Sequence, residues 1–150
     1  MAKRVLELEN FIPYRLSFTA NLVSTLIADA YEKHFDLSIP QWRVLAHVAE
    51  RDGITQQEIG HRTRMEKVTV SRAAVALQKR KLLIRVENPD DKRCLLLVLT
   101  PSGRTLYNQI SPKALELEAS IFDRYDCAEL AKLIAMLREI DMATLALLDN

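Results

Sequence analysis

Chain breakers are scarce in this sequence: its 150 residues include three glycines and five prolines. That scarcity excludes collagen-like and Gly/Pro-rich disordered sequence, and a 49% apolar content leaves enough hydrophobic mass for a core. Two cysteines, Cys94 and Cys127, are too few and too far apart for a disulfide framework or a zinc site. Both are expected as buried, reduced thiols. No apolar run reaches the roughly 18 residues of a membrane span. The opening MAKRVLELENF has a basic pair but no apolar stretch after it, unlike a secretory signal. Enzyme signatures are absent too: there is no His-Glu-x-x-His, no Gly-rich phosphate loop and no Gly-x-Ser-x-Gly elbow. His34, His47 and His61 fall on separate predicted helices, without acidic residues at ligand spacing. The expectation is a cytoplasmic protein that is not an enzyme, with no metal, no cofactor and no membrane contact.

Net charge is also small, at +1, but it is unevenly spread. Residues 55–104 hold eleven Lys/Arg against five Asp/Glu, a balance of +6; the remainder holds ten against fifteen, a balance of −5. A basic middle between acidic ends suits one part that meets a polyanion and another that meets protein. A solvated basic face is the plainer alternative.

The length suits a single domain, 1–150, with a lobe at 36–100 flanked by helices at 1–35 and 101–150. Phe11, Tyr14, Phe18, Leu22, Leu26 and Ala30 recur at helical spacing, with Pro13 in the first turn. Ser38-Ile-Pro-Gln41 reads as a capping box, and Trp42, Leu45, Val48 and Ala49 form the next buried face before Asp52-Gly53 ends that helix. Thr55-Gln-Gln-Glu58 is a second such box, opening a short helix to about Arg62. A longer helix runs from about Glu66 to Arg80, with Val68, Val75 and Leu77 inward. Leu83–Glu87 and Cys94–Leu99 are β-rich runs around the polar turn Asn88–Arg93, predicting a hairpin. Thr100-Pro101 starts another helix, to about Tyr125, which Pro112 should bend or locally break. Asp126-Cys-Ala-Glu129 caps a last helix whose stripe is Leu130, Leu133, Ile134, Leu137, Ile140 and Leu147. The predicted fold is mainly α with a small β-hairpin wing: a winged helix-turn-helix lobe plus N- and C-terminal dimerisation helices.

A short helix joined through His61–Met65 to a longer one has the geometry of a helix-turn-helix, whose second helix presents its N-terminus to the major groove. Lys67, Thr69, Ser71 and Arg72 are donors at that end; Arg72 suits a guanine edge or a phosphate. Lys92 and Arg93 at the hairpin tip suit a minor-groove wing, with Asp91 orienting Arg93. The full set expected to contact DNA is Thr55, Gln56, Arg64, Lys67, Thr69, Val70, Ser71, Arg72, Lys92 and Arg93. A winged-helix module that binds protein instead of DNA is the alternative.

These segments carry a family resemblance. Thr55-Gln-Gln-Glu-Ile-Gly60, Lys67–Arg72 with Leu77 and Leu82, Pro89-Asp-Asp-Lys-Arg93 and Leu99-Thr-Pro-Ser-Gly103 resemble the multiple antibiotic resistance regulator (MarR) family, as does, more weakly, Leu37–Leu45. The resemblance implies a homodimer built from the terminal helices. Each subunit's winged lobe would read half of a near-palindromic operator, usually as a repressor, with Arg93 in the minor groove and Asp91 positioning it. It also implies a small aromatic acid effector, for which Tyr14, Arg15, Trp42 and Arg43 are the candidate ligands here, the arginines pairing with a carboxylate. Relatives that switch on cysteine oxidation place the thiol near the first helix, where this chain has none; Cys94 falls on a wing strand. One departure is Lys81, where the family usually has glycine after the recognition helix. A left-handed backbone there would cost on the order of 1 kcal/mol.

Overall fold

Four capping side chains set where helices begin. In the computed structural model, which describes residues 5–149, a 3-10 turn at Leu8–Asn10 precedes α1 (Ile12–Phe35), α2 (Ile39–Ala49), α3 (Gln56–Thr63) and α4 (Lys67–Lys79). Strands β1 (Leu83–Glu87) and β2 (Leu95–Leu99) follow, then α5 (Pro101–Phe122) and α6 (Cys127–Leu148). At α2 the Gln41 N–H donates to Ser38 Oγ at 3.3 Å while the Ser38 N–H donates to Gln41 Oε1 at 3.1 Å, the predicted reciprocal box. Asp126 and Glu129 repeat it at α6. Thr55 accepts from the Glu58 N–H at 3.1 Å, but that box is only half formed. The Glu58 carboxylate turns forward to Arg62 instead, at 2.9 Å, one helical turn on. Thr100 Oγ1 accepts from the Gly103 N–H at 3.0 Å and donates to the Lys81 carbonyl at 2.7 Å, fixing the start of α5 against the end of α4.

The chain forms two compact units, Met1–Pro112 and Lys113–Asn150. In the first, Val44, Leu45 and Val48 of α2 are buried with Ile59 of α3, Val70, Ala73, Ala74 and Leu77 of α4, and Leu83 and Leu97 of the sheet. The strands are antiparallel, pairing Leu83 with Leu99 through to Glu87 with Leu95. Gly53, at φ +136°, turns the chain so that Ile54 bridges to Leu97, which braces the foot of the hairpin. Tyr31 is buried in α1 and meets Trp42 edge-on at 5.1 Å, and Trp42 stacks on Tyr107 at 5.9 Å.

Lys81 is left-handed, at φ 59°. Its N–H donates to the Gln78 carbonyl at 2.9 Å and the Leu82 N–H to Leu77 at 3.0 Å, the two bonds of a Schellman C-cap. Leu77 and Leu82, both buried, supply the apolar contact of that motif. Because the geometry favours glycine, Lys81→Gly is expected to stabilise the protein by about 1 kcal/mol, raising Tm by about 3 °C in thermal denaturation. An unchanged or lower Tm would contradict the cost assigned to this residue.

Of the bend or local break expected at Pro112, the break does not occur: α5 runs uninterrupted from Pro101 to Phe122 with the proline inside it. One expectation needs outright correction. The cysteines are not buried: Cys94 is half-buried and Cys127 is exposed. On α1, Phe11, Phe18, Leu22 and Leu26 are exposed, and Tyr31 is the buried residue of that helix. In the second unit, α6 has no buried residue, and Leu133, Ile134, Leu137 and Ile140 are all exposed. No helix among the described residues is long and apolar enough to cross a membrane.

Candidate nucleic-acid interface

The turn between α3 and α4 is built by local chemistry. Thr63 Oγ1 donates back to the Ile59 carbonyl at 2.7 Å and accepts from the Met65 N–H at 3.2 Å, while Arg64 takes the left-handed C-cap conformation at φ 58°. Helix α4 then begins with no side-chain bond from its N-cap, Glu66, so its first-turn N–H groups carry no capping acceptor. Val70, Ala73, Ala74 and Leu77 form the inward stripe, at the spacing of one helix face.

That stripe corrects two readings. Val70, expected to contact DNA, is 1% exposed and belongs to the core. Val68 and Val75, expected inward, are 55% and 40% exposed. The two alanines explain the exchange: small side chains let α4 approach its neighbours closely along the 70–73–74–77 line, which turns Val68, Arg72 and Val75 outward together. Hydrophobicity alone favours the valines over the alanines as core residues, so it does not reveal Val68 as a surface residue of α4.

Of the remaining expected contacts, Arg64, Lys67, Arg72, Lys92 and Arg93 are exposed; Thr55, Gln56, Thr69 and Ser71 are half-buried. Gln56 and Lys67 line one groove of about 530 Å³ with His61 and Met65. Thr69 and Arg72 line another, of about 260 Å³, with Ser38, Pro40 and Gln41 at the start of α2. Thr55 spends its hydroxyl on the α3 cap. Among the described residues, no carboxylate pairs with Arg64, Lys67, Arg72 or Lys92.

Arg93 differs. Its Nε donates to Asp91 Oδ1 at 3.0 Å and its Nη2 to Oδ2 at 3.2 Å, and its backbone N–H also reaches Oδ1 at 3.1 Å. The guanidinium is thereby held in one plane while remaining 89% exposed. The Arg93 side-chain bond, followed by its backbone bond, holds the Asp91 carboxyl below its usual value, and the same pairing raises the Arg93 guanidinium. The Cys94 thiol lies 3.9 Å from Asp91 Oδ2.

Three of the four candidate effector ligands have partners within the chain. Arg15 pairs with Glu9 at 3.5 Å and lies over the Phe18 ring, which Tyr14 also approaches, at 6.1 Å. Trp42 is occupied by Tyr31 and Tyr107, and Arg43 is exposed. Arg104 went unnoticed in the sequence: it donates to the Ala49 carbonyl at 2.9 Å and sits over the Tyr107 ring at 5.7 Å. His47, near Arg51, is held below its usual pKa chiefly by burial, then by Arg51.

Fold and site together define a winged helix-turn-helix: α3 and α4 form the turn-joined pair, and the β1–β2 hairpin with its clamped arginine forms the wing. Residues 35–93, within this lobe, match the model of the MarR family. An uncharacterized HTH-type transcriptional regulator of Staphylococcus aureus strain Mu50 is 32% identical over 90 residues, covering 60% of this chain. The chain thus spans 61% of the length of that curated relative. The fold is that of solved MarR-family structures: a MarR/EmrR family transcriptional regulator from Acinetobacter sp. ADP1 superposes with a TM-score of 0.85 at 22% identity, covering 93% of this chain and 98% of that one. BpsR of Bordetella bronchiseptica, whose DNA binding is regulated by 6-hydroxynicotinic acid, gives a TM-score of 0.82 at 22% identity, covering 92% and 98%.

Proposed function

We propose that this protein is a sequence-specific, duplex-DNA-binding transcription regulator that represses by occupying a near-palindromic operator. The observation that carries the proposal is the planar clamp of Asp91 on an otherwise exposed Arg93, on the hairpin that follows a helix bearing unpaired Lys67 and Arg72. An arginine fixed in orientation and left in solvent has nothing of its own chain to stabilise. It suits the focused negative potential of a narrow minor groove. Helix α4 would enter the major groove with Lys67, Thr69, Ser71 and Arg72 directed at phosphates and base edges. The exposed Val68 adds an apolar surface suited to a thymine methyl.

The active form proposed is a homodimer. The uncovered apolar side chains of α1 in one unit and α6 in the other give a second copy two faces to bury. Release by a small aromatic acid is supported by the behaviour of BpsR. In this chain the Trp42–Tyr107 stack with Arg104 above it offers a planar apolar surface beside a cation.

Selection of bound duplexes from a random library, followed by salt titration, tests the reading. A regulator making several phosphate contacts should lose affinity with a log–log slope of about −0.9 for each phosphate neutralised. A protein-binding module would show no duplex affinity even at low salt. Dimerisation predicts twice the chain mass in light scattering. A salicylate-like acid at millimolar concentration should displace the operator, and no displacement would remove the effector from the proposal.

A further inference from the structure

Arg80 stands at the C-terminal end of the recognition helix, yet its guanidinium reaches neither a carboxylate nor a turn of its own helix. Nη1 donates to the Asp36 carbonyl at 2.7 Å, and Nη2 donates to the Phe35 carbonyl at 3.2 Å. Those are the last carbonyls of α1, where the helix leaves its acceptors unsatisfied and its dipole is negative. Asp36 is left-handed, at φ 51°, as the C-cap of α1. A planar fork can meet two adjacent carbonyls at once; an ammonium cannot do so in the same fixed geometry. On the other side of the same helical turn, Gln78 accepts from Arg85 Nε on β1 at 3.1 Å. The end of α4 is therefore tied to the wing by one residue and to α1 by another.

The tie to α1 bypasses the covalent route. Along the chain, α1 connects to α4 through the short link at residues 36–38, then α2 and α3. Arg80 joins the two helix ends directly, across 44 residues of sequence. We propose that Arg80 is a positioning residue: by strapping the recognition helix to the end of α1, it fixes the attitude of the DNA-reading lobe on the helix through which two copies pair. Its consequence for function is the distance between the two recognition helices, and hence the half-site spacing that the dimer accepts. This inference rests on the DNA-binding, α1-paired dimer proposed above.

The test uses the full-length protein and the operator selected for it, together with operators whose half-sites are moved one base pair closer or farther. Wild type should lose roughly tenfold in affinity for each respaced duplex, because one step displaces and rotates a half-site relative to a rigid partner. Arg80→Met keeps the aliphatic stem but removes the fork. It should bind the native spacing within about threefold of wild type while its penalty for respacing falls to about threefold or less. Arg80→Lys should resemble Arg80→Met, since charge without the fork does not hold two carbonyls. An Arg80→Met protein whose respacing penalties match wild type overturns the proposal, whether its Tm falls (a purely structural bond) or its salt slope shrinks by about 1 per subunit, as for a phosphate contact. If wild type binds no duplex, or binds all spacings equally, the paired-lobe reading itself fails and the strap fails with it. That outcome is recognised from wild type alone, before any variant is compared.

Discussion

Gly103→Ala is expected to lower Tm by about 10 °C, corresponding to about 3 kcal/mol of lost stability at this chain length. Gly103 lies in the first turn of α5 and is buried. A Cβ built on it would collide with the backbone carbonyl of Leu82, and the Leu99 Cδ2 would stand only 3.1 Å away. A side chain can rotate away from an added methyl, but the Leu82 carbonyl cannot. It accepts the Thr100 N–H at 3.1 Å, and the Leu82 N–H completes the Schellman cap of α4. Relief therefore requires α5 to move off the end of α4, breaking the Thr100 bonds to Lys81 and Leu82. Thermal denaturation with and without operator separates the effects. A variant that melts within 2 or 3 °C of wild type would mean that the junction yields far more easily than a close-packed interior does.

The Thr100-Pro101 start of α5 was legible because both roles are local: Thr100 caps and Pro101 starts the helix. The boxes at Ser38 and Asp126 and the Asp91–Arg93 clamp were legible for the same reason, since both partners lie within three residues of each other. Features that depend on distant partners were not. Nothing local to Trp42 indicates that Tyr31 and Tyr107 enclose it, and nothing local to Arg80 indicates two backbone carbonyls on α1 as its acceptors. Backbone acceptors carry no residue-type signature at all. The exchange of Val68 and Val70 has a third cause. Burial on α4 follows the closest approach of helices, which Ala73 and Ala74 permit, and apolar character does not reveal which of two valines shares their face.

Within the DNA-binding reading, the wing gives the largest expected change in affinity. Arg93→Ala should weaken operator binding roughly thirtyfold for each wing that loses its arginine, mid-range for a side chain reading a groove. The loss should be greatest on operators whose flanks are A·T-rich, where the minor groove is narrow. Asp91→Asn keeps the size of the side chain but replaces a charged two-oxygen acceptor with an amide, so Arg93 remains present but less well directed. A loss of about fivefold per wing is expected, even though one negative charge has been removed from a surface facing a polyanion. The sign of that effect is decisive: an Asp91 with no orienting role would bind DNA more tightly as Asn. The double variant should bind no worse than Arg93→Ala alone, because Asp91 acts through Arg93 and the two losses cannot add. Dependence on pH follows from the same pair. Arg93 holds the Asp91 carboxyl below its ordinary range, so the pairing is fully present above that range and is lost only as pH falls through the lowered value. The affinity ratio of wild type to Asp91→Asn should therefore stay flat from about pH 8 down to about pH 5, given an unperturbed carboxyl near 4. A ratio that changes across neutral pH would assign the orientation of Arg93 to some group other than Asp91.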